Sequence, residues 1–376
     1  MTAFGNASLN HLEITQSNKT SSPKQCFSGV SQVSIAVHVF TILASLIGNS
    51  LLIVSCTRKK ESWLLYIMNM ATSDLLVAIF LLPRFIIDEI TGSGAFLVHG
   101  LGGTFLCKMC SFLSDISLSV STLTLVTIAV ERFLAVVNPL LHIRTTSSRK
   151  RRRLVIALTW ILAAALHLPY FYTFRLTRVA IGQDDYIQIC FPSWEPAFDD
   201  NTGQVYYNIF LFTTVLILPL LVISILYIAV ALRVRNNNKG KFQFRKVSRR
   251  RQEFTRNLLK MAVATVAAFS VCWTMFIVIA FINIFSTSLI LTCNKSYMVV
   301  SYIANLLASC YCAVNPWVCF IFIPGFSREL RIIIQNQNHR GFNAKDRNSS
   351  RKSQTTHVVL PLESFVKQKV QERSNP

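Results

Sequence analysis

Seven long apolar runs, near residues 33–56, 63–87, 105–137, 154–174, 205–232, 257–285 and 297–323, limit what this chain can fold into more than any other feature. A helix needs about 20 apolar residues to cross the hydrocarbon core of a bilayer, and each run is long enough. Lipid offers no partner to a backbone amide, so such runs must satisfy their own hydrogen bonds as helices. The expected fold is therefore all-α, a seven-transmembrane-helix bundle. The third run, about 32 residues, would extend roughly 48 Å against a core of about 30 Å, so it should tilt or project beyond the membrane. Composition agrees, because 52% of the residues are hydrophobic and only 15% charged, too few charges for a water-soluble chain of this length.

The net charge of +21 would suggest nucleic acid if it lay on one soluble face. Here the basic residues sit in short loops between the apolar runs and read as topology signals, so no nucleic-acid partner is expected. Arg58, Lys59 and Lys60 follow the first run, and Arg144 and the cluster from Arg149 to Arg153 follow the third. The loop after the fifth run, from Arg233 to Arg251, is the richest. The alternate loops carry Asp88 and Glu89, then Asp184, Asp185, Glu195, Asp199 and Asp200. This asymmetry places the N-terminus outside and the basic tail inside, as in a multi-pass protein of the plasma membrane.

On that orientation, residues 1–32 form an outer segment, 33–323 the bundle, 324–336 an amphipathic helix on the inner leaflet and 337–376 a polar inner tail. The amphipathic helix is read from Phe326, Leu330, Ile333 and Ile334 set against Arg328 and Arg331. The start, MTAFGNASLN, lacks a basic stretch followed by an apolar core, so the first span is expected to act as its own insertion signal. Sequons at Asn6 and Asn18 lie on the outer side as candidate glycosylation sites. No nucleophile–base or metal-ligand spacing points to an enzyme.

The third run ends SLSVSTLTLVTIAVERFLAVVNP, with Glu131 and Arg132 adjacent. A guanidinium there is costly to desolvate, so the pair is either a local ion pair snorkelling to the headgroups or a functional group. The ERFLAVVNP string resembles the D/E-R-Y/F end of the third helix in rhodopsin-like G-protein-coupled receptors. Gly48-Asn49, Asp74, Trp160, Pro219, Tyr227, Trp273 and Asn315-Pro316 also match family positions, so every span contributes, and the resemblance runs from about residue 33 to 335. It implies an outer ligand that biases a two-state bundle whose inner face engages a heterotrimeric G protein. Glu131, Arg132, Tyr227, Asn315 and Pro316 would serve activation, and Trp273 would be the toggle.

The resemblance also implies a disulfide between Cys107, at the outer start of the third run, and Cys190, with Cys110 as competitor. Cys26 and Cys293 would form a second bridge found in some peptide receptors of the family, or remain two free thiols. Asp74, in mid-membrane, must be hydrated, paired or protonated. The family implies a sodium ion held by Asp74 with groups such as Ser121 and Asn315, and no other cofactor. The alternative is a protonated Asp74 hydrogen-bonded to Asn49 and Asn315.

Two departures from the family pattern bear on activation. Met275 stands at the proline of the C-W-x-P motif, so the sixth helix should be straighter. Cys319 replaces the tyrosine of N-P-x-x-Y, so the family's water bridge to Tyr227 cannot form. These leave the fold alone and open the alternative of a non-coupling or scavenging receptor. A transporter would need broken helices and more mid-membrane charge than Asp74 and Asp115 supply.

On the ligand side, Ser114 stands where amine receptors carry an aspartate, and Ser309 where photopigments carry their lysine. Asp115 lies about 100° further round the helix. It either reaches the pocket edge or bonds to Ser111 or Ser119. A pocket of Arg84, Ser114, Asp115 and Tyr206, with Asp88, Glu89, Arg175 and Arg178 at its rim, suits a short peptide. The motif style is similar to that of neuropeptide receptors, with a small polar molecule as the alternative ligand. In the tail, Ser349, Ser350, Ser353, Thr355 and Thr356 are candidate phosphate acceptors that would recruit an arrestin.

Overall fold

The computed structural model describes residues 31–59, 61–91, 95–146, 148–180, 186–239, 249–285, 295–323, 325, 326 and 328. All seven apolar runs are helical spans: Gln32–Lys59, Leu64–Thr91, Gly100–Val137, Arg149–Thr173, Thr202–Arg233, Lys260–Ile282 and Val299–Phe322. The expected sites Asn6, Asn18, Cys26 and Cys293, and the tail hydroxyls, lie outside the described residues. The chain divides into two units, Met1–Pro324 and Gly325–Pro376. Of the second, Gly325, Phe326 and Arg328 are described, with Gly325 at a φ of 85° that a glycine adopts without strain. The rest of the expected 324–336 helix also lies outside the described residues.

The first unit is apolar outside, and its interior sets polar groups among apolar ones. Leu101 is 92% exposed and Ile321 72%, whereas Asn49, Ser73, Asp74, Ser121 and Asn315 are buried. Lipid solvates the outer apolar side chains; the buried polar groups find partners inside the bundle, and outward hydroxyls such as Thr72, Ser224 and Thr274 bond back to carbonyls of their own helix. The third span packs against the second, fourth, fifth and sixth. The first packs against the second and seventh, and the sixth lies on the seventh. At 38 residues the third helix starts five residues before the expected apolar run and extends about 57 Å, well beyond a hydrocarbon core.

Prolines account for the irregular places. The second span breaks at Leu81, between Leu64–Phe80 and Leu82–Thr91, where Pro83 withholds the amide that Ile79 would need. In the fifth, a π-helical stretch, Phe212–Ile217, precedes Leu218–Lys239 and absorbs Pro219. The sixth, proline-free helix runs unbroken over Arg249–Phe285.

A β-hairpin, not foreseen from sequence, covers one end of the bundle. Strand β1 (Phe174–Ala180) pairs antiparallel with β2 (Tyr186–Pro192), and Ala95 adds an isolated bridge to Ile189. Cys190 in β2 is disulfide-bonded to Cys107 in the third span, while Cys110, the competitor, is free. Beneath the bridge, Cys107, Tyr170, Phe174, Cys190, Leu211 and Val215 form a buried cluster that fixes the hairpin over the third and fifth spans.

Candidate functional site

Midway along the bundle, Asp74 joins three spans. Its Oδ1 accepts from Ser121 Oγ at 2.8 Å and its Oδ2 from Asn315 Nδ2 at 2.8 Å. Ser73 Oγ lies 2.8 Å from Ser121 Oγ. Three sequence-predicted residues therefore meet here.

Asn49 does not join them, and the expected Asn49–Asp74 bond is corrected. Asn49 Nδ2 donates to Cys312 O, Ser45 O and Ser45 Oγ, each at 3.0 Å. The cause is Pro316, which has no amide proton for the carbonyl four residues earlier. Asn49, with Ser45 Oγ at 3.4 Å, supplies the missing donor to Cys312. Gly48 makes that reach possible, since a Cβ there would lie 2.7 Å from Pro316 Cγ.

The donor chemistry around Asp74 fits a small hard cation: one carboxylate, the hydroxyls of Ser73 and Ser121, and the Asn315 Oδ1, which is buried without a hydrogen-bond partner. Among the described residues no group of three or more His, Cys, Asp or Glu side chains could hold a metal. Further along, Trp273, the expected toggle, stacks at 5.7 Å on Phe269, which meets Tyr311 of the seventh span edge-on at 5.1 Å.

At the end of the bundle away from the hairpin, Arg132 Nη2 donates to Glu131 Oε2 at 3.1 Å, as the adjacent pair predicted. A second guanidinium was missed. Arg152 donates to Glu131 Oε1 through Nη2 at 2.7 Å and Nε at 3.0 Å, and its Nη1 bonds to Ser62 Oγ. Counted among the topology-setting basic residues, Arg152 is instead buried. A signal was present: Arg152, Thr159, Ala163 and His167, the buried residues of helix Arg149–His167, recur at helical spacing. Trp63, Tyr66, Ile67, Ile128 and Met261 close a small space around Glu131 and Arg132. Tyr227 is half-buried in the fifth span, Cys319 is buried, and Met275 is 37% exposed at the bundle's outer surface.

At the hairpin end, Arg84 donates to Cys190 O at 3.3 Å and Ser111 Oγ at 3.5 Å. Asp115 is buried and accepts from Tyr170 OH at 2.5 Å, a partner other than the Ser111 or Ser119 that one of its two readings offered. Ser119 instead lies 2.8 Å from His167 Nε2. Ser114 Oγ turns back to Cys110 O at 2.6 Å. Tyr206 is a further correction: it is 70% exposed and faces out of the bundle. One position on, Tyr207 faces inward, donating to Leu166 O at 2.8 Å and packing on Trp194 at 5.2 Å. A helix turns about 100° per residue, and two adjacent tyrosines give no hint of which one the neighbours will cover. Of the four expected pocket residues, Arg84 and Asp115 are tied to Cys190 and Tyr170 beneath the hairpin, while Ser114 is buried against its own helix.

Residues 48–318 match the family described as 7 transmembrane receptor (rhodopsin family). The chain is 27% identical to a QRFP-like peptide receptor of Branchiostoma floridae over 83% of this chain and 80% of that one. It is 25% identical to neuropeptide FF receptor 1 of Rattus norvegicus over 84% and 73% of the two chains. With the gonadotropin-releasing hormone receptor of Equus caballus it shares 29% identity over 73% and 83%.

Proposed function

Because the chain belongs to the rhodopsin family of seven-transmembrane receptors, we propose that it carries a neuropeptide signal across the plasma membrane to a heterotrimeric G protein. Two of the relatives are named for peptides and the third for a hormone, which supports a peptide here. The basic loops support an orientation with the hairpin outside and the Glu131 end inside. The peptide would meet the hairpin end, near Arg84 and the half-buried Arg175, whose guanidinium bonds to Ser193 O at 3.0 Å. The observation that carries the reading is the Glu131–Arg132 pair where the third span ends, with Glu131 buried and the partly exposed Arg132 held to it by one 3.1 Å contact. Ligand binding shifts the bundle by its differential affinity for two states, and the released Arg132 contacts the partner. A sodium ion at Asp74 would favour the resting state, and a phosphorylated tail would recruit an arrestin.

The test is nucleotide exchange on a panel of G proteins, in membranes bearing the chain, with the three relatives' ligands and a wider peptide library. Ligand-dependent exchange that Arg132→Ala abolishes at unchanged surface level is the expected result. Exchange that survives Arg132→Ala overturns the assigned role. Met275 and Cys319 favour a second reading, a receptor that binds without coupling. Peptide binding with no exchange on any G protein would select it.

A further inference from the structure

Two guanidiniums share the buried Glu131 carboxylate, and they are not equivalent. Arg152 meets Oε1 with two donors, at 2.7 and 3.0 Å, its side chain is 8% exposed, and its third donor is anchored on Ser62. Arg132 meets Oε2 with one donor at 3.1 Å and is 15% exposed. Two donors on one charged acceptor, at shorter distance and in drier surroundings, make the stronger hold.

We propose that Arg152 is a positioning residue that lets Arg132 leave, by keeping the Glu131 carboxylate in place and hydrogen-bonded in both states of the bundle. This rests on the reading that Arg132 is the group released on activation. A buried carboxylate whose single partner departs is left uncompensated, which strongly opposes the departure. With Arg152 in place, Glu131 keeps both donors on Oε1 when Oε2 loses its own. The two guanidiniums also repel across a single anion, and the more weakly held one is the one displaced. The neighbouring Arg149, Lys150, Arg151 and Arg153 are all exposed, so Arg152 alone of the five basic residues is turned inward for this task.

The test needs neither ligand nor G protein. The full chain, in nanodiscs of phosphatidylcholine and phosphatidylglycerol, carries a trifluoromethyl probe on Lys260→Cys. This exposed sixth-span site adjoins Met261, which lines the space beside Arg132. The partly exposed free thiols among the described residues, Cys110 and Cys310, are changed to serine. Fluorine NMR then reads the fraction of protein in the released state.

Arg152→Met is expected to lower that fraction by about threefold or more, and Arg152→Lys, which keeps the charge, to restore much of it. In a Glu131→Gln background no anion can be stranded, so Arg152→Met should change little there. An unchanged or larger released fraction in Arg152→Met overturns the proposal. So does an equal shift in the Glu131→Gln background, which would make Arg152 a packing residue. If Arg132→Ala leaves the spectrum untouched, the underlying reading of Arg132 fails and this proposal with it. If Arg132→Ala shifts the spectrum and Arg152→Met does not, the role of Arg152 alone falls.

Discussion

Replacing Gly48 by alanine would drive a methyl group into the contact between the first and seventh spans. The added Cβ would lie 2.7 Å from Pro316 Cγ and 3.2 Å from Pro316 Cβ. Ordinary carbon–carbon contact needs about 3.5–4.0 Å, so the helices must separate by roughly 1 Å or the proline ring must distort. Separation would stretch the 3.0 Å bond from Asn49 Nδ2 to Cys312 O, and Ser45 Oγ, already at 3.4 Å, offers no reserve. A carbonyl left without a donor costs about 1–3 kcal/mol, and overpacking without separation costs about the same. The bundle suffers mainly one or the other, and alanine's better helix propensity returns at most about 1 kcal/mol. With about half of that 1 kcal/mol returned, the expected net loss is about 0.5–2.5 kcal/mol, or a fall in Tm of roughly 1–10 °C at about 2–4 °C per kcal/mol. The receptor's own thiols can report it. Cys56, Cys272, Cys312 and Cys319 are buried and free, so a thiol-reactive fluorophore lights up as the purified protein unfolds in detergent. Gly102→Ala is the control, since nothing lies within 4 Å of a Cβ built there. Unfolding of Gly48→Ala at or above the wild-type temperature would refute the reasoning.

Four further substitutions test other parts of the structure. Trp160→Phe removes the 2.8 Å donor to Asn69 Oδ1, and leaving that buried oxygen unsatisfied should cost about 1–3 kcal/mol in the same thermal assay. Cys110→Ser should leave surface level and stability near wild type. Cys107→Ser opens an 83-residue link and should lose up to about 4.5 kcal/mol, read as lower Tm and poor surface delivery. Asp74→Asn keeps hydrogen bonding but removes the charge, so any sodium-induced shift in peptide affinity should disappear from competition binding at varied sodium. Persistence of that shift would place the ion elsewhere.

Much of this is legible in the amino-acid sequence. Apolar run length dictates the seven helices, because in lipid no other structure satisfies a backbone of that kind. The meeting of Asp74, Ser121 and Asn315, the Cys107–Cys190 bridge and the Glu131–Arg132 pair all followed from the motif resemblance. Which neighbour of each helical residue is covered did not. Tyr207 rather than Tyr206 faces inward, Arg152 alone leaves its basic cluster, and Asp115 finds Tyr170, on another span. These depend on the rotation of each helix about its axis, which is set by packing against partners distant in sequence. Asn49 shows the limit most plainly. Its polar side chain in an apolar span announced a buried partner, but only the approach of Gly48 to Pro316 decided that the partner would be the carbonyl of Cys312 and not Asp74. The membrane determines that such groups must be satisfied, and the tertiary contacts determine by whom.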